Sequence, residues 1–276
     1  MLAIIATGVT LVVWAFWWEP GRLVVDRTEL ELPGWPAPLE LRVALIADLH
    51  VGSPRNGVDN LRRVVQRVNE QTPDLVIIAG DLTIDNVVGG RFVPPERIAE
   101  ELASLESRYG AFAVLGNHDR WLSAQRVQAA LESADITVLE NRNLPVEVAG
   151  GVVWLAGVSD YWTGHPSIGD ALDGIPDGEP VILFTHNPDL FPEVPDRVSL
   201  TMAGHTHGGQ VIIPFVGPGN TPSRFGARYA ADHVVEDGRH LFVTTGVGTS
   251  RLGVRFLVPP EIASLTLIRC TSCPSS

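Results

Sequence analysis

Five short runs most constrain what this chain can fold into. "LRVALIADLH" (41–50), "DLVIIAGD" (74–81), "GAFAVLGNHD" (110–119), "PVILFTH" (180–186) and "VSLTMAGHTH" (198–207) are near-continuous apolar stretches that stop abruptly in polar residues. A strand with one wet face alternates apolar and polar residues; a run that does not alternate has both faces covered. Between the first three runs the spacing turns helical. Val58, Leu61, Val64, Val65 and Val68 share one face of Val58–Gln71. "PPERIAEELASLES" (94–107) opens on Pro94 and Pro95, with acids in its first turns. The β-α-β-α-β order predicts parallel strands joined by right-handed crossovers. Ligands in such sheets bind beyond the carboxyl ends of the strands. Asp48 and His50, Asp81, and Asn117 and His118 therefore fall along one edge of one sheet.

The second half reads as richer in strands. "SAQRVQAALESA" (123–134) has helical spacing. "ITVLE", "LPVEVAG" and "GVVWLAGV" then read as a meander, and "GQVIIP", "HLFVTTGVG" and "EIASLTLI" follow as further strands. A chain of 276 residues with 45% hydrophobic content suits one fairly large domain or two small ones, and burial on that scale needs no disulfide framework. Cys270 and Cys273 stand in the tail "RCTSCPSS" without a second cysteine pair or a strand-to-helix context, so residues 269–276 read as a disordered tail.

Charge narrows the chemistry. The net charge is −12, with no basic stripe to neutralise a nucleic-acid duplex. No lysine occurs, which excludes Schiff-base, P-loop and carbamylated-lysine mechanisms. If such a chain handles phosphate, arginines or bound cations supply the positive charge.

The amino-terminal segment stands apart. "LAIIATGVTLVVWAFWW" (2–18) carries no charge, and at about 1.5 Å per residue it approaches the roughly 30 Å of a bilayer core. Trp14, Trp17 and Trp18 gather at its end, where indole rings favour the membrane interface. It lacks the basic start and small-residue cleavage site of a signal peptide. Residues 1–20 are read as a single-pass anchor in the cytoplasmic membrane, 21–40 as a linker and edge strand, and 41–268 as the main domain. Arg22 and Arg27 after the anchor lean toward a cytoplasmic domain.

Five of the eight histidines lie in the strand endings "DLH", "GD", "GNHD", "TH" and "GHTH". Any one of these groups alone is most simply a polar cap on a strand; together they form a nitrogen and oxygen ligand set without thiolate. Such a set suits Mn, Fe, Zn, Co or Ni. Two dications about 3.5–4 Å apart would polarise a phosphoryl oxygen and activate a water. A bridging carboxylate, a neutral amide and a free histidine as proton donor complete that chemistry. His165, His233 and His240 read as surface histidines. Arg120, Arg224, Arg251 and Arg255 read either as contacts to a substrate phosphate or as surface ion pairs. Trp121, Tyr161 and Trp162 read either as walls of a groove or as packing.

The ordered pattern D-x-H, G-D, G-N-H-D, H, G-H-x-H from Asp48 to His207 resembles the calcineurin-like metallophosphoesterases, and the likeness runs to about Leu267. "GHTHGGQVIIP", "THNPDLFP", "GTSRLGVRF" and the anchor are similar to a branch of membrane-associated bacterial phosphoesterases, some of which cleave the pyrophosphate of a UDP-diacylglucosamine lipid. The resemblance implies a four-layer αββα sandwich of the α/β class and two divalent transition-metal ions (Mn, Fe or Zn). Asp48, His50, Asp81 and His207 would hold one ion, and Asp81, Asn117, His186 and His205 the other. His118 would be the general acid, oriented by Asp119, and a metal-bridging hydroxide would attack phosphorus in line. The implied substrate is a phosphodiester or pyrophosphate, lipid-linked or nucleotide, acted on by a monomer. A phosphomonoesterase or protein phosphatase, or a non-catalytic scaffold, are the competing readings.

Overall fold

The computed structural model describes residues 1–85 and 87–271. In chain order the strands are β1 (Val24–Leu32), β2 (Leu41–Ile46), β3 (Leu75–Ala79), β4 (Ala111–Val114), β5 (Ile136–Val138), β6 (Arg142–Val148) and β7 (Gly151–Val158). They continue with β8 (Val181–Thr185), β9 (Leu200–Ala203), β10 (Ile212–Ile213), β11 (Gly217–Pro218), β12 (Asp232–Glu236), β13 (Arg239–Val243) and β14 (Glu261–Arg269). The helices are α1 (Leu2–Val13), α2 (Val58–Asn69), α3 (Pro95–Leu102), α4 (Asn117–Glu132) and α5 (Ile168–Leu172).

Two six-stranded sheets result, in the orders β1-β14-β2-β3-β4-β5 and β12-β13-β9-β8-β7-β6. Strands β2 to β5 are mutually parallel, as are β7, β8, β9 and β13. Alternate residues of the apolar runs explain the layering. Val43, Leu45, Leu75 and Ile77 of the first sheet join Phe184, Leu200 and Met202 of the second in a core between the sheets. Ala44, Ile46, Val76 and Ile78 face outward, under Leu61, Val64, Ile98 and Val127 of α2, α3 and α4. The other outer face, with Val181, Leu183 and Leu241, is covered by α5 and a 3₁₀ turn at Pro188–Glu193. This is the expected four-layer α/β sandwich, with a thin second helical layer.

Two expectations change. The stretch read as a meander is divided between sheets: β5 extends the first sheet beside β4, while β6 and β7 form an antiparallel hairpin at the edge of the second. Gly157 marks where the two sheets come together, since a Cβ there would lie 2.4 Å from the Leu139 carbonyl oxygen. Helix α4 begins at Asn117 rather than Ser123, so the "GNHD" block forms a helical first turn, followed by an extended kink at Ser123. Strand β1 is the edge strand, paired along its length with β14. Of the tail read as disordered from residue 269, Arg269 instead ends β14 and the Cys270 amide donates to the Leu32 carbonyl at 3.1 Å, because both extend the pairing with β1; residues 272–276 lie outside the described residues.

Residues Leu2–Gly21 form a continuous helical stretch with mean hydropathy 1.6, long and apolar enough to cross a membrane, and almost wholly exposed. Its last turns leave the regular α-helix at Trp14 and meet the domain. Ala15 accepts a hydrogen bond from the Arg255 amide at 3.0 Å, and the Arg55 guanidinium lies 4.0 Å over the Trp17 ring.

Candidate metal centre

Every polar strand ending arrives on one rim of the sandwich. Asp48 and His50 follow β2, Asp81 follows β3, Asn117 opens α4 after β4, His186 follows β8, and His205 and His207 follow β9. The backbone bends hard to present them. Asp48, His50, Asp81, His205 and His207 all have positive φ, between 38° and 70°, a conformation costing about 1–3 kcal/mol for a residue with a side chain. Gly80, at φ 83°, turns the chain ahead of Asp81. Gly116 has ordinary φ but no room: a Cβ would sit 2.1 Å from Asp81 Oδ1. The glycine ahead of Asn117 thus serves close approach rather than a sharp turn.

The side chains form three overlapping groups. Asp48, His50 and His207 gather their ligand atoms in one cluster, Asp81, His186 and His205 in a second, and His50, Asp81 and His118 in a third. Asp81 Oδ2 is 3.6 Å from His50 Nε2 and 3.3 Å from His186 Nε2, so it faces both. His50 Nδ1 lies 3.2 Å from the Thr83 carbonyl and His186 Nδ1 lies 2.7 Å from the Ala79 carbonyl. Those carbonyls hold the Nδ1 protons and turn each Nε2 into the site, where it offers a lone pair once the ring is neutral. His50 Nε2 meets His207 Nε2 at 3.1 Å between stacked rings, and His186 Nε2 meets His205 Nδ1 at 3.1 Å. Asp48 Oδ1 and Asn117 Oδ1 are buried without a hydrogen-bond partner. Converging lone pairs and orphaned buried acceptors fit cations, and the all nitrogen and oxygen set fits divalent transition metals.

Electrostatics divide the ligand set. Burial lowers His50 and His205 to about 3, and His207 well below its usual value, so these imidazoles are neutral at pH 7. Burial lowers His186 too, but the Asp81 carboxylate more than reverses this and raises it. Burial raises Asp48 to about 7. Asp81 stays low despite burial, because His186 and His50 favour its anion.

His118 sits beside this centre. Its ring is 4.8 Å from His50 and 4.7 Å from Trp121, both edge-on, and its amide donates to Asp81 Oδ1 at 2.8 Å. Burial lowers its pKa. Asp119 does not meet the His118 ring. It is fully buried, and Oδ1 accepts from the amides of Leu82 and Thr83 at 3.0 Å and from Thr83 Oγ1 at 3.1 Å. Oδ2 accepts from the Gly116 amide at 3.1 Å. Asp119 ties the loop carrying Asp81 to the start of α4.

A cleft of about 430 Å³ opens over Asp81, Asn117, His118 and His205, a size that suits a small-molecule site. Trp121 and Trp162 stand at its walls, and Arg251 at its rim. The other arginines point elsewhere. Arg120 pairs with Glu140 and donates to Ser159 Oγ. Arg224 donates to the Tyr161 hydroxyl at 2.6 Å and to the Asp189 carbonyl. Arg255 is fully buried, its guanidinium held by the carbonyls of Thr245, Gly246, Gly248 and Val258. It supports the loop packed on Asp48 and His50. Among the lone histidines, His165 is exposed, whereas His233 and His240 pair with each other at 3.0 Å and His240 is buried. Thr83 and Asn56 also build the site, through the Thr83 carbonyl and through Asn56 Nδ2, which donates to the Leu49 carbonyl. Backbone-mediated roles of that kind leave no side-chain pattern in a sequence.

Residues 41–209 match the family model described as calcineurin-like phosphoesterase. The metallophosphoesterase YkuE of Bacillus subtilis is 32% identical over 229 residues, covering 82% of this chain and 78% of that protein. Phosphodiesterase YaeI of Escherichia coli is 32% identical over 203 residues, covering 72% of each. A transmembrane protein with metallophosphoesterase domain from Danio rerio is 31% identical over 264 residues, covering 88% of this chain but only 57% of its own length.

Proposed function

The chain belongs to the calcineurin-like phosphoesterase family, and from that premise we propose that it is a membrane-anchored, metal-dependent hydrolase of phosphodiester or pyrophosphate bonds. The observation that carries this reading is the set of overlapping ligand groups around Asp81 at the floor of a cleft. Asp48, His50, Asp81 and His207 would hold one divalent ion and Asp81, Asn117, His186 and His205 the second, with Mn, Fe or Zn suited to the donor set. When bound, such ions polarise a phosphoryl oxygen and make a water nucleophilic at neutral pH.

The chain's own groups do the rest. Asp81 and Asp48 supply the negative charge that retains the ions, while the neutral His50, His205 and His207 add donors without adding charge. His118, beside Asp81 and facing the cleft, is placed to serve the departing oxygen of the ester, as proton donor when its ring is protonated and as an N–H hydrogen-bond donor when it is neutral. Asp119 acts as a positioning residue through the backbone of Leu82 and Thr83. Trp121 and Trp162 offer flat apolar walls to a base or an acyl chain. Arg251, lining the cleft, offers a guanidinium to a second phosphate. The name of the Escherichia coli relative, a phosphodiesterase, supports diester over monoester chemistry. The proposed organisation is an anchor at 1–20, a linker and edge strand at 21–40, and a catalytic domain at 41–268. Arg22 and Arg27 after the anchor favour a cytoplasmic domain on a bacterial membrane, and a lipid-linked substrate suits that setting.

The test uses the full chain in detergent micelles, stripped of metal and resupplied with Mn²⁺, on an aryl phosphodiester and the matching monoester. Diester turnover that requires Mn²⁺ and collapses in Asn117→Ala and His118→Ala is the expected result. Faster monoester turnover would transfer the proposal to a phosphomonoesterase, and no turnover of either with metal bound would sink it.

A further inference from the structure

The small hairpin of β10 and β11 is out of keeping with a soluble surface. Phe215 at its tip is fully exposed, and its neighbours Val216 and Ile213 are 76% and 48% exposed. Phe215 also holds φ 69°, a position that a turn ordinarily gives to Gly, Asn or Asp. A bulky aromatic that accepts backbone strain in order to stand in water is serving something other than the turn.

The hairpin is connected to the membrane helix by a short path. Its first strand leans on the segment after Arg255: Val211 bridges to Phe256, and the Ile212 amide donates to the Phe256 carbonyl at 2.9 Å. The preceding residue, Arg255, donates its amide to Ala15 at the end of the apolar helix. Leu257, just past Phe256, is also exposed. On the other side of the anchor, Arg55 lies over Trp17, and Pro54 packs against Gly253 and Gly89. Those contacts bring in a second set of loops that present Val88, 70% exposed, with Arg91 and Arg251. Trp14, Trp17 and Trp18 mark the level at which the helix leaves the bilayer core. Elements in direct contact with that level lie at the headgroups once the helix is inserted. Apolar tips beside exposed arginines match that zone, where apolar groups reach the acyl boundary and guanidinium groups meet lipid phosphates.

We propose that the β10–β11 hairpin tip and the loops bearing Val88 and Leu257 form a second membrane-contact surface, which seats the mouth of the cleft on the bilayer. Arg251 and Leu252 belong both to this rim and to the cleft wall, so a phosphate ester carried by a lipid reaches the metal centre without leaving the interface. The inference rests on the reading of residues 1–20 as an anchor but not on the chemistry of the centre.

The test places an environment-sensitive fluorophore on the full chain, with Cys270→Ser and Cys273→Ser in the background. Labels go on Phe215→Cys, on Ile5→Cys within the anchor, and on Asp177→Cys, which lies at the opposite edge ahead of β8. Each protein is reconstituted into vesicles of phosphatidylethanolamine and phosphatidylglycerol, with and without lipid carrying a nitroxide near the headgroup. The expected result is blue-shifted, nitroxide-quenched emission at Phe215 and Ile5, with neither effect at Asp177. Quenching at Ile5 but water-like emission at Phe215 would overturn the proposal while leaving the anchor standing. A blue shift at Phe215 without lipid quenching would overturn it in favour of a second copy of the chain covering the tip. Absence of quenching at Ile5 would remove the anchor reading, and the proposal with it.

Discussion

Replacing Asp119 separates two roles that its position next to His118 makes easy to confuse. If the carboxylate oriented the His118 ring, its loss would slow catalysis and leave the fold intact. The structure instead gives the carboxylate to the amides of Leu82, Thr83 and Gly116 and to the Thr83 hydroxyl. In Asp119→Ala three amides and a hydroxyl lose their acceptor inside a fully buried pocket. Each stranded group costs about 1–3 kcal/mol. Allowing the hydroxyl to rotate and one water to enter, the net loss is roughly 3–5 kcal/mol, a large share of the roughly 5–15 kcal/mol that holds a domain together. For a chain of this size that lowers Tm by roughly 6–20 °C. Asp119→Asn keeps an acceptor on one branch but turns an amide NH₂ toward a donor on the other, so it falls between wild type and alanine. Thermal unfolding of the full chain in detergent, followed by circular dichroism, measures the series. Mn²⁺ binding measured alongside should weaken, since Leu82 and Thr83 directly follow Asp81. A Tm for Asp119→Ala within 2 °C of wild type, with turnover nevertheless lost, would refute the reasoning and restore the carboxylate to His118.

Loading metal-stripped protein with Mn²⁺ at pH 7 should release protons, because Asp48 titrates near 7 and His186 is raised and both must deprotonate to bind. Competition from those protons fades as pH rises through that range, so affinity should climb between pH 6 and pH 8; calorimetry in buffers of different ionisation enthalpy reads both effects, and a flat profile without proton release contradicts them. Gly116→Ala forces a Cβ to within 2.1 Å of Asp81 Oδ1 and 2.5 Å of the Asp81 amide nitrogen, so bound metal measured by elemental analysis should fall below that of wild type, and full retention would show that the approach is slack. Arg255→Gln should destabilise the chain by about 1–3 kcal/mol for each buried carbonyl left without a donor, those of Thr245, Gly246 and Gly248 among them. An unchanged Tm with a raised KM would return Arg255 to the list of substrate contacts.

Much of this molecule was legible in the residues because the signals are local. An apolar run without alternation declares a strand buried on both faces, and its abrupt polar ending declares a functional rim. Asp48, His50, Asp81, Asn117, His186, His205 and His207 could therefore be listed from their places at strand ends, and the structure gathers all of them on one rim. Tertiary structure decided what depends on two elements meeting. That β5 joins the first sheet is set by its pairing with β4, a strand more than twenty residues away. Two of the amides that Asp119 binds lie 36 and 37 residues away, which no side-chain pattern announces, and burial made Arg255, read as a phosphate contact or a surface ion pair, into a strut. The path from the hairpin to the apolar helix exists only because Phe256 pairs with Val211 and Ile212 while its neighbour Arg255 donates to Ala15. Sequence periodicity reports which face of an element is apolar. It carries no information about which distant backbone donor will stand opposite a given carboxylate, because that is set by how two sheets and their loops pack.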